Sequence, residues 1–133
     1  MATDSLVYSL IQIIHNLNAV VVVGAPLFGV WFGLQQITAR QMMALVAFAW
    51  ALQGISGAAF GLASLSLYGA LPDLHPIGRG ALVTKVACVI VGFGLSLWFW
   101  LRPSSVSLRT PWMLLGLIGV LAISAAAVLR WNS

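Results

Sequence analysis

The chain has 133 residues, of which 62% are hydrophobic and 6% are charged, and its formal net charge is +4. Soluble domains have about 45–50% apolar and about 25% charged residues, so this composition excludes a soluble globular protein and indicates a chain surrounded by lipid. The basic residues are scattered rather than clustered, which argues against a nucleic-acid partner. The single cysteine, Cys88, excludes an internal disulfide bond.

Four segments are long and apolar enough to cross a hydrocarbon core as helices, which takes roughly 20 residues each. The predicted spans are residues 6–34, 42–67, 81–101 and 112–129. The first span follows the sequence MATDS, which lacks the positive charge of a cleavable signal peptide, so we expect it to be retained. The short polar connections favour antiparallel neighbours. The predicted fold is therefore all-α, a single domain over 1–133 with an up-down-up-down four-helix transmembrane bundle.

Basic and aromatic residues near the span ends predict the orientation. The first and third connections carry Arg40, Arg102 and Arg109, whereas the opposite side carries Arg79 and Arg130. Because cytoplasmic ends carry the excess of Arg and Lys, both termini are expected on the non-cytoplasmic side. Tryptophans near span ends predict an aromatic belt at the membrane surfaces. These are Trp31, Trp98, Trp100, Trp112 and Trp131.

Glycines at four-residue spacing indicate where helices approach closely, because small side chains allow backbone contact between membrane helices. The first span carries Gly29 and Gly33, and the second carries Gly57 and Gly61, together with Gly54, which lies four residues before Ala58. We interpret these residues as packing faces within the bundle, in preference to a dimer interface.

Polar side chains inside the predicted membrane form a second pattern. Gln12, His15 and Asn18 share one face of the first span because they are three residues apart. The helical rise puts His15 and Lys85 at roughly 10–14 Å from the same membrane face. Polar groups in hydrocarbon face the bundle interior, so we expect a polar cluster there. Its predicted members are Gln12, His15, Asn18, Gln53, Ser56 and Lys85.

Lys85 stands out because a charged residue at the middle of a membrane helix costs about 2.5–3.5 kcal/mol on insertion scales. Two interpretations follow from the sequence. The ammonium group snorkels to the membrane surface near Arg79, or it faces a polar cavity beside a neutral His15.

His15 is the candidate metal ligand. A transmembrane haem b usually takes two axial ligands, and the other histidine, His75, lies in a connection. Copper favours imidazole and sulfur ligands, but Met42, Met43 and Met113 lie at the opposite side of the membrane from His15. Hydrolase, P-loop and zinc-protease motifs are missing from the sequence, so we expect no catalytic activity of the chain's own.

Two short sequences carry a family resemblance: HNLNAVVVVG, from His15 to Gly24, and GRGALVTK, from Gly78 to Lys85. They resemble the small four-helix membrane proteins related to the copper-resistance protein D family. The resemblance implies a bacterial inner-membrane protein concerned with copper handling or periplasmic redox systems. The matching positions are His15, Gly24, Arg79 and Lys85, and the chain departs from the pattern at Val22, where a tryptophan is expected.

Three functions remain open on the sequence. The first is a non-catalytic accessory subunit of a larger membrane (redox) enzyme complex, packed against other membrane subunits through glycine-rich faces. The second is a copper handling or transport protein, with His15 and Lys85 lining a polar path. The third is a small haem b electron carrier that uses His15.

Overall fold

The computed structural model describes residues 2–32, 36–102 and 109–132, and the regular structure of these residues is helical throughout. The helices are α1 (Ala2–Phe32), α2 (Gln36–Tyr68), α3 (Pro76–Leu101) and α4 (Arg109–Trp131). All four are long and apolar enough to cross a membrane. The prediction of an all-α four-helix transmembrane bundle is confirmed.

The helices extend beyond the predicted spans at several ends. Helix α2 begins at Gln36, so most of the predicted first connection is helical, and α3 begins at Pro76 rather than at residue 81. A helix satisfies its own backbone polar groups, so it can continue through polar residues as it leaves the hydrocarbon. Pro76 suits the first helical position because its fixed φ matches the helix and its missing N–H is not needed there. Residues 103–108 of the predicted third connection lie outside the described residues.

The described helices form a square in chain order. Each packs against its two neighbours, α1 also packs against α4, and the diagonal pairs have no close backbone approach within the described residues. Residues 69–75 join α2 to α3, and Gly69 in this turn has a φ of +68°, which side-chain-bearing residues rarely adopt. We call this end of the bundle, with the start of α1 and the end of α4, the loop end.

Aromatic residues mark the depth of the loop end. The ring of Tyr8 on α1 stacks on the rings of Phe60 and Tyr68 on α2, with centroid separations of 6.4 Å in both pairs. Tyr68 is the last residue of α2, and tyrosines favour the membrane surface. Residues beyond Tyr8 on α1 therefore enter the hydrocarbon at about 1.5 Å per residue.

The half of the bundle away from the loop end has an apolar core built around two tryptophans. Trp50 of α2 packs on Gly92 of α3, and Trp112 of α4 packs on Gly29 of α1, so closely that a Cβ atom at either glycine would overlap the indole ring. The prediction that Trp112 belongs to the surface belt is wrong, because its side chain is 1% exposed. Gly29 leaves room for the ring between the helices, which draws this tryptophan into the core.

Candidate functional site

A buried polar cluster lies in the half of the bundle nearer the loop end. Five of the six predicted residues meet there, contributed by three helices: His15 and Asn18 from α1, Gln53 and Ser56 from α2, and Lys85 from α3. We call these five residues the polar cluster. The sixth, Gln12, does not join them, because its exposed carboxamide is hydrogen-bonded to Asn16 on the same helix.

The hydrogen bonds of the polar cluster can be assigned from one backbone carbonyl. Asn18 Nδ2 lies 2.6 Å from the carbonyl oxygen of Ala49, which can only accept. The same Nδ2 lies 2.7 Å from Gln53 Oε1, so that oxygen accepts the second hydrogen of the Asn18 amide. Gln53 therefore presents its Nε2 donor to His15 Nε2, at 3.0 Å.

This arrangement selects one tautomer of His15. Since Nε2 faces the Gln53 donor, Nε2 carries the lone pair and Nδ1 carries the hydrogen. Nδ1 donates to Ser56 Oγ at 2.6 Å, and Ser56 Oγ donates to the backbone carbonyl oxygen of Gln53 at 3.2 Å. The ring also meets Phe60 edge-on, with a centroid separation of 5.7 Å. The imidazole is thus neutral and held from both sides.

Lys85 completes the polar cluster from the opposite helix. Its Nζ lies 3.1 Å from His15 Nε2 and donates to the lone pair that also accepts from Gln53. Lys85 follows Ala81 and precedes Cys88 on a stripe of buried α3 residues. The sequence allowed the Lys85 ammonium group either to reach the membrane surface near Arg79 or to face inward beside His15. In the structure it points inward. Arg79 is exposed and donates from Nε to the Leu74 carbonyl oxygen instead.

The short contact with His15 does not activate the Ser56 hydroxyl as a nucleophile. A general base would present an imidazole lone pair to the hydroxyl hydrogen, whereas here His15 Nδ1 carries the hydrogen and Ser56 uses its own hydrogen on a backbone carbonyl. The polar cluster consequently offers hydrogen-bond donors and one positive charge, and no proton acceptor beside a hydroxyl group.

A metal at His15 would compete with these bonds. Nδ1 faces Ser56 and Nε2 faces Gln53 and Lys85, so an iron or copper ion would have to displace at least one partner. His75 precedes the first residue of α3, ten residues before Lys85, which is a rise of about 15 Å along the helix. In the ranges 2–32, 36–102 and 109–132 there is no group of three or more His, Cys, Asp or Glu that could hold a metal ion.

The predicted packing glycines have different neighbours. A Cβ atom at Gly54 would lie 3.0 Å from Val89 of α3, and one at Gly57 would lie 3.9 Å from His15 of α1. A Cβ atom at Gly61 would lie 3.9 Å from Leu71. Gly33 lies outside the described residues. Gly24, one of the positions carried by the family resemblance, is exposed and a Cβ there would meet nothing within 4 Å.

The structure shows an exposed polar face on α1 that was not predicted from the sequence. Ser5, Ser9, Gln12 and Asn16 recur at spacings of three and four residues and are all exposed. We call these four residues the polar face of α1. The Gln12 side chain donates from Nε2 to Asn16 Oδ1 at 2.7 Å, and Ser9 donates to the Ser5 carbonyl oxygen. The spacing of these polar residues by three and four positions could have predicted this face. The same kind of spacing predicted the buried cluster, which lies on a different face of α1.

The fold and the polar cluster together define a multi-pass helical membrane protein with a hydrogen-bonded polar cluster between its helices. Comparison of the chain with protein-family models, with curated proteins and with solved structures gave no match.

Proposed function

We propose that this chain is a non-catalytic accessory subunit of a larger membrane enzyme complex, joined to a transmembrane helix of its partner through the polar face of α1. The observation that carries the proposal is the exposed pair of carboxamides at Gln12 and Asn16. Gln12 and Asn16 lie about 6 and 12 Å deeper in the membrane than Tyr8, at 1.5 Å of rise per residue.

Carboxamides exposed to hydrocarbon are unfavourable because lipid tails offer no hydrogen bonds. Within the described residues, the Asn16 side chain has one hydrogen bond, accepted from Gln12, so both hydrogens of its Nδ2 are left for another group. Asn and Gln side chains on membrane helices commonly hydrogen-bond across to a neighbouring helix. A partner helix with a hydroxyl group, a carboxamide or a backbone carbonyl freed by a kink at this depth would accept the hydrogens of the Asn16 amide.

The position of the polar face supports the same partner. Val23 lies seven residues after Asn16 and Leu27 lies four residues after Val23, so both continue the stripe of the polar face. There they pack on α4, where a Cβ atom at Gly119 would lie 3.1 Å from Val23 and one at Gly116 would lie 3.3 Å from Leu27. This stripe of α1 therefore contacts α4 in its second half, where Leu27 is still 47% exposed, and carries four exposed polar residues in its first half, where a partner helix can pack.

A non-catalytic role agrees with the internal hydrogen bonding of the polar cluster, in which the imidazole, the hydroxyl and both buried carboxamides are used between helices. The only described connection between helices, residues 69–75, is too short to hold an extramembrane domain.

We further propose an orientation with the start of α1 and the end of α4 on the non-cytoplasmic side of a bacterial inner membrane. The orientation rests on Arg40, Arg102 and Arg109, which lie at the end away from residues 69–75, against Arg79 and Arg130 at the loop end. The membrane assignment rests on the family resemblance stated above.

The proposal is tested by photo-crosslinking in native membranes. A benzophenone amino acid replaces Val20, which is 68% exposed and lies four residues after Asn16, or Val83 on α3, which is 69% exposed. We expect Val20 to give a discrete adduct with a larger membrane protein and Val83 to give none. An adduct between two copies of this chain, or adducts with lipid alone at both positions, would contradict the accessory role.

A further inference from the structure

One layer of the bundle combines the charge of Lys85 with small residues on the facing helices. Trp50 packs on Gly92 between α2 and α3, so Gly57, seven residues after Trp50, is level with Lys85, seven residues before Gly92. Gly78 packs on Asn132 between α3 and α4, so Ala125, seven residues before Asn132, is also level with Lys85. His15 completes the layer from α1 through its bond to Lys85.

The two remaining members of this layer are small residues. Gly57 has no side chain, and Ala125 is buried with a single methyl group. Lys85 belongs to the inward stripe of α3 and is nonetheless only half-buried, although Gly78, Ala81, Cys88 and Gly92 of that stripe are buried. Among the described residues, a Cβ atom added at Gly57 would meet one atom outside its own helix within 4 Å, His15 Cε1 at 3.9 Å. The layer therefore places the charge of Lys85 beside two small residues, with room at Gly57.

No carboxylate is paired with this ammonium group in the part of the chain that the structure describes. Within the described residues, Lys85 has one polar partner, the neutral His15. The carboxylates of Asp4 and Asp73 lie at the loop end, eleven residues before His15 and twelve before Lys85. Buried charges in proteins are paired or otherwise compensated, because an isolated ion is costly in a medium of low dielectric constant.

We infer that the space beside Lys85 is a binding site for a small monovalent anion, of the halide or formate class. Lys85 supplies the charge and two N–H donors that His15 does not use, and Gln53 Nε2 supplies the hydrogen left over from its bond to His15. Asn18 supplies none, because both of its amide hydrogens are used. The site is separate from the polar face of α1 and does not depend on the proposed partner.

The test is the line width of the ³⁵Cl⁻ NMR signal with the purified chain in detergent, at constant ionic strength, with formate as the competing anion. We expect excess broadening with the wild-type chain that saturates with chloride and is reversed by formate. Lys85→Met keeps the length of the side chain without its charge and is expected to abolish the excess broadening. Lys85→Arg keeps the charge and is expected to retain it.

A second pair of variants separates the site from general surface binding. Ala125→Leu fills the space beside Lys85 and is expected to remove the broadening, while Ala127→Leu makes the same change on the exposed side of α4 and is expected to leave it intact. Equal broadening by the wild-type chain and by folded Lys85→Met would overturn the inference. Equal effects of the two leucine variants would overturn the placement between the helices.

Discussion

Lys85 on α3 and His15 on α1 belong to helices on opposite corners of the bundle, yet their side chains meet, with Nζ 3.1 Å from Nε2. The contact requires the neutral His15 tautomer that Ser56 and Gln53 hold in place. A hydrogen bond across the diagonal ties together two helices that have no close backbone approach in the described part of the chain. The polar cluster therefore specifies how the helices are arranged as well as satisfying its own members.

The first prediction concerns the coupling between these two residues. His15→Leu removes the acceptor of a charged donor, and we expect it to destabilise the bundle by about 1.5–3 kcal/mol. Adding Lys85→Met should recover part of this loss, because the ammonium group left without a partner is removed as well. The measurement is a double-mutant cycle by unfolding in SDS, followed by circular dichroism. Two single effects that simply add would contradict the coupling.

The second prediction concerns the tryptophan at Gly92. Gly92→Ala places a methyl group against the Trp50 ring, and we expect overpacking to cost about 1–3 kcal/mol. Gly94→Ala is the matched control two residues along α3, where a Cβ atom would meet nothing within 4 Å. The control should be neutral or slightly stabilising, because alanine favours the helix over glycine. Thermal unfolding midpoints in detergent distinguish the two, and similar shifts would contradict the packing.

The third prediction concerns orientation. In a Cys88→Ala background, Asp73→Cys adds a thiol in the 69–75 connection, and Gln41→Cys adds one near the start of α2 at the other end; both positions are exposed. A membrane-impermeant maleimide should label Asp73→Cys in cells whose outer membrane has been made permeable, and Gln41→Cys only after the inner membrane is disrupted. The reverse pattern would contradict the proposed orientation.

The general fold was accessible from the sequence because continuous apolar segments and short connections leave few alternatives for a chain in lipid. The spacing of His15 and Asn18 placed both on one helix face, and helical rise brought His15 and Lys85 to one depth. Both follow from helix geometry alone.

Rotation of the helices about their axes was harder to predict. Gln12 has the same three-residue spacing from His15 as Asn18 does, but it lies on the opposite side of His15 and turns outward to Asn16. The burial of Trp112 depends on Gly29, a residue on another helix far away in sequence. Such pairings are set by tertiary packing, which a single sequence does not encode as a local pattern.

Two asparagines on α1 differ in the role proposed for them: one holds this bundle together and the other joins it to a partner. Asn18 is buried and bonds to Ala49 and Gln53, whereas Asn16 is exposed and bonds to Gln12. The most direct measurement is the co-purification of larger membrane subunits in mild detergent with Asn16→Leu and with Asn18→Leu, alongside the unfolding midpoint of each variant. We expect Asn16→Leu to lose the partner and keep the midpoint, and Asn18→Leu to lower the midpoint while its folded fraction keeps the partner. A partner retained in full by Asn16→Leu, or a chain that purifies alone as wild type, would contradict the proposed accessory role.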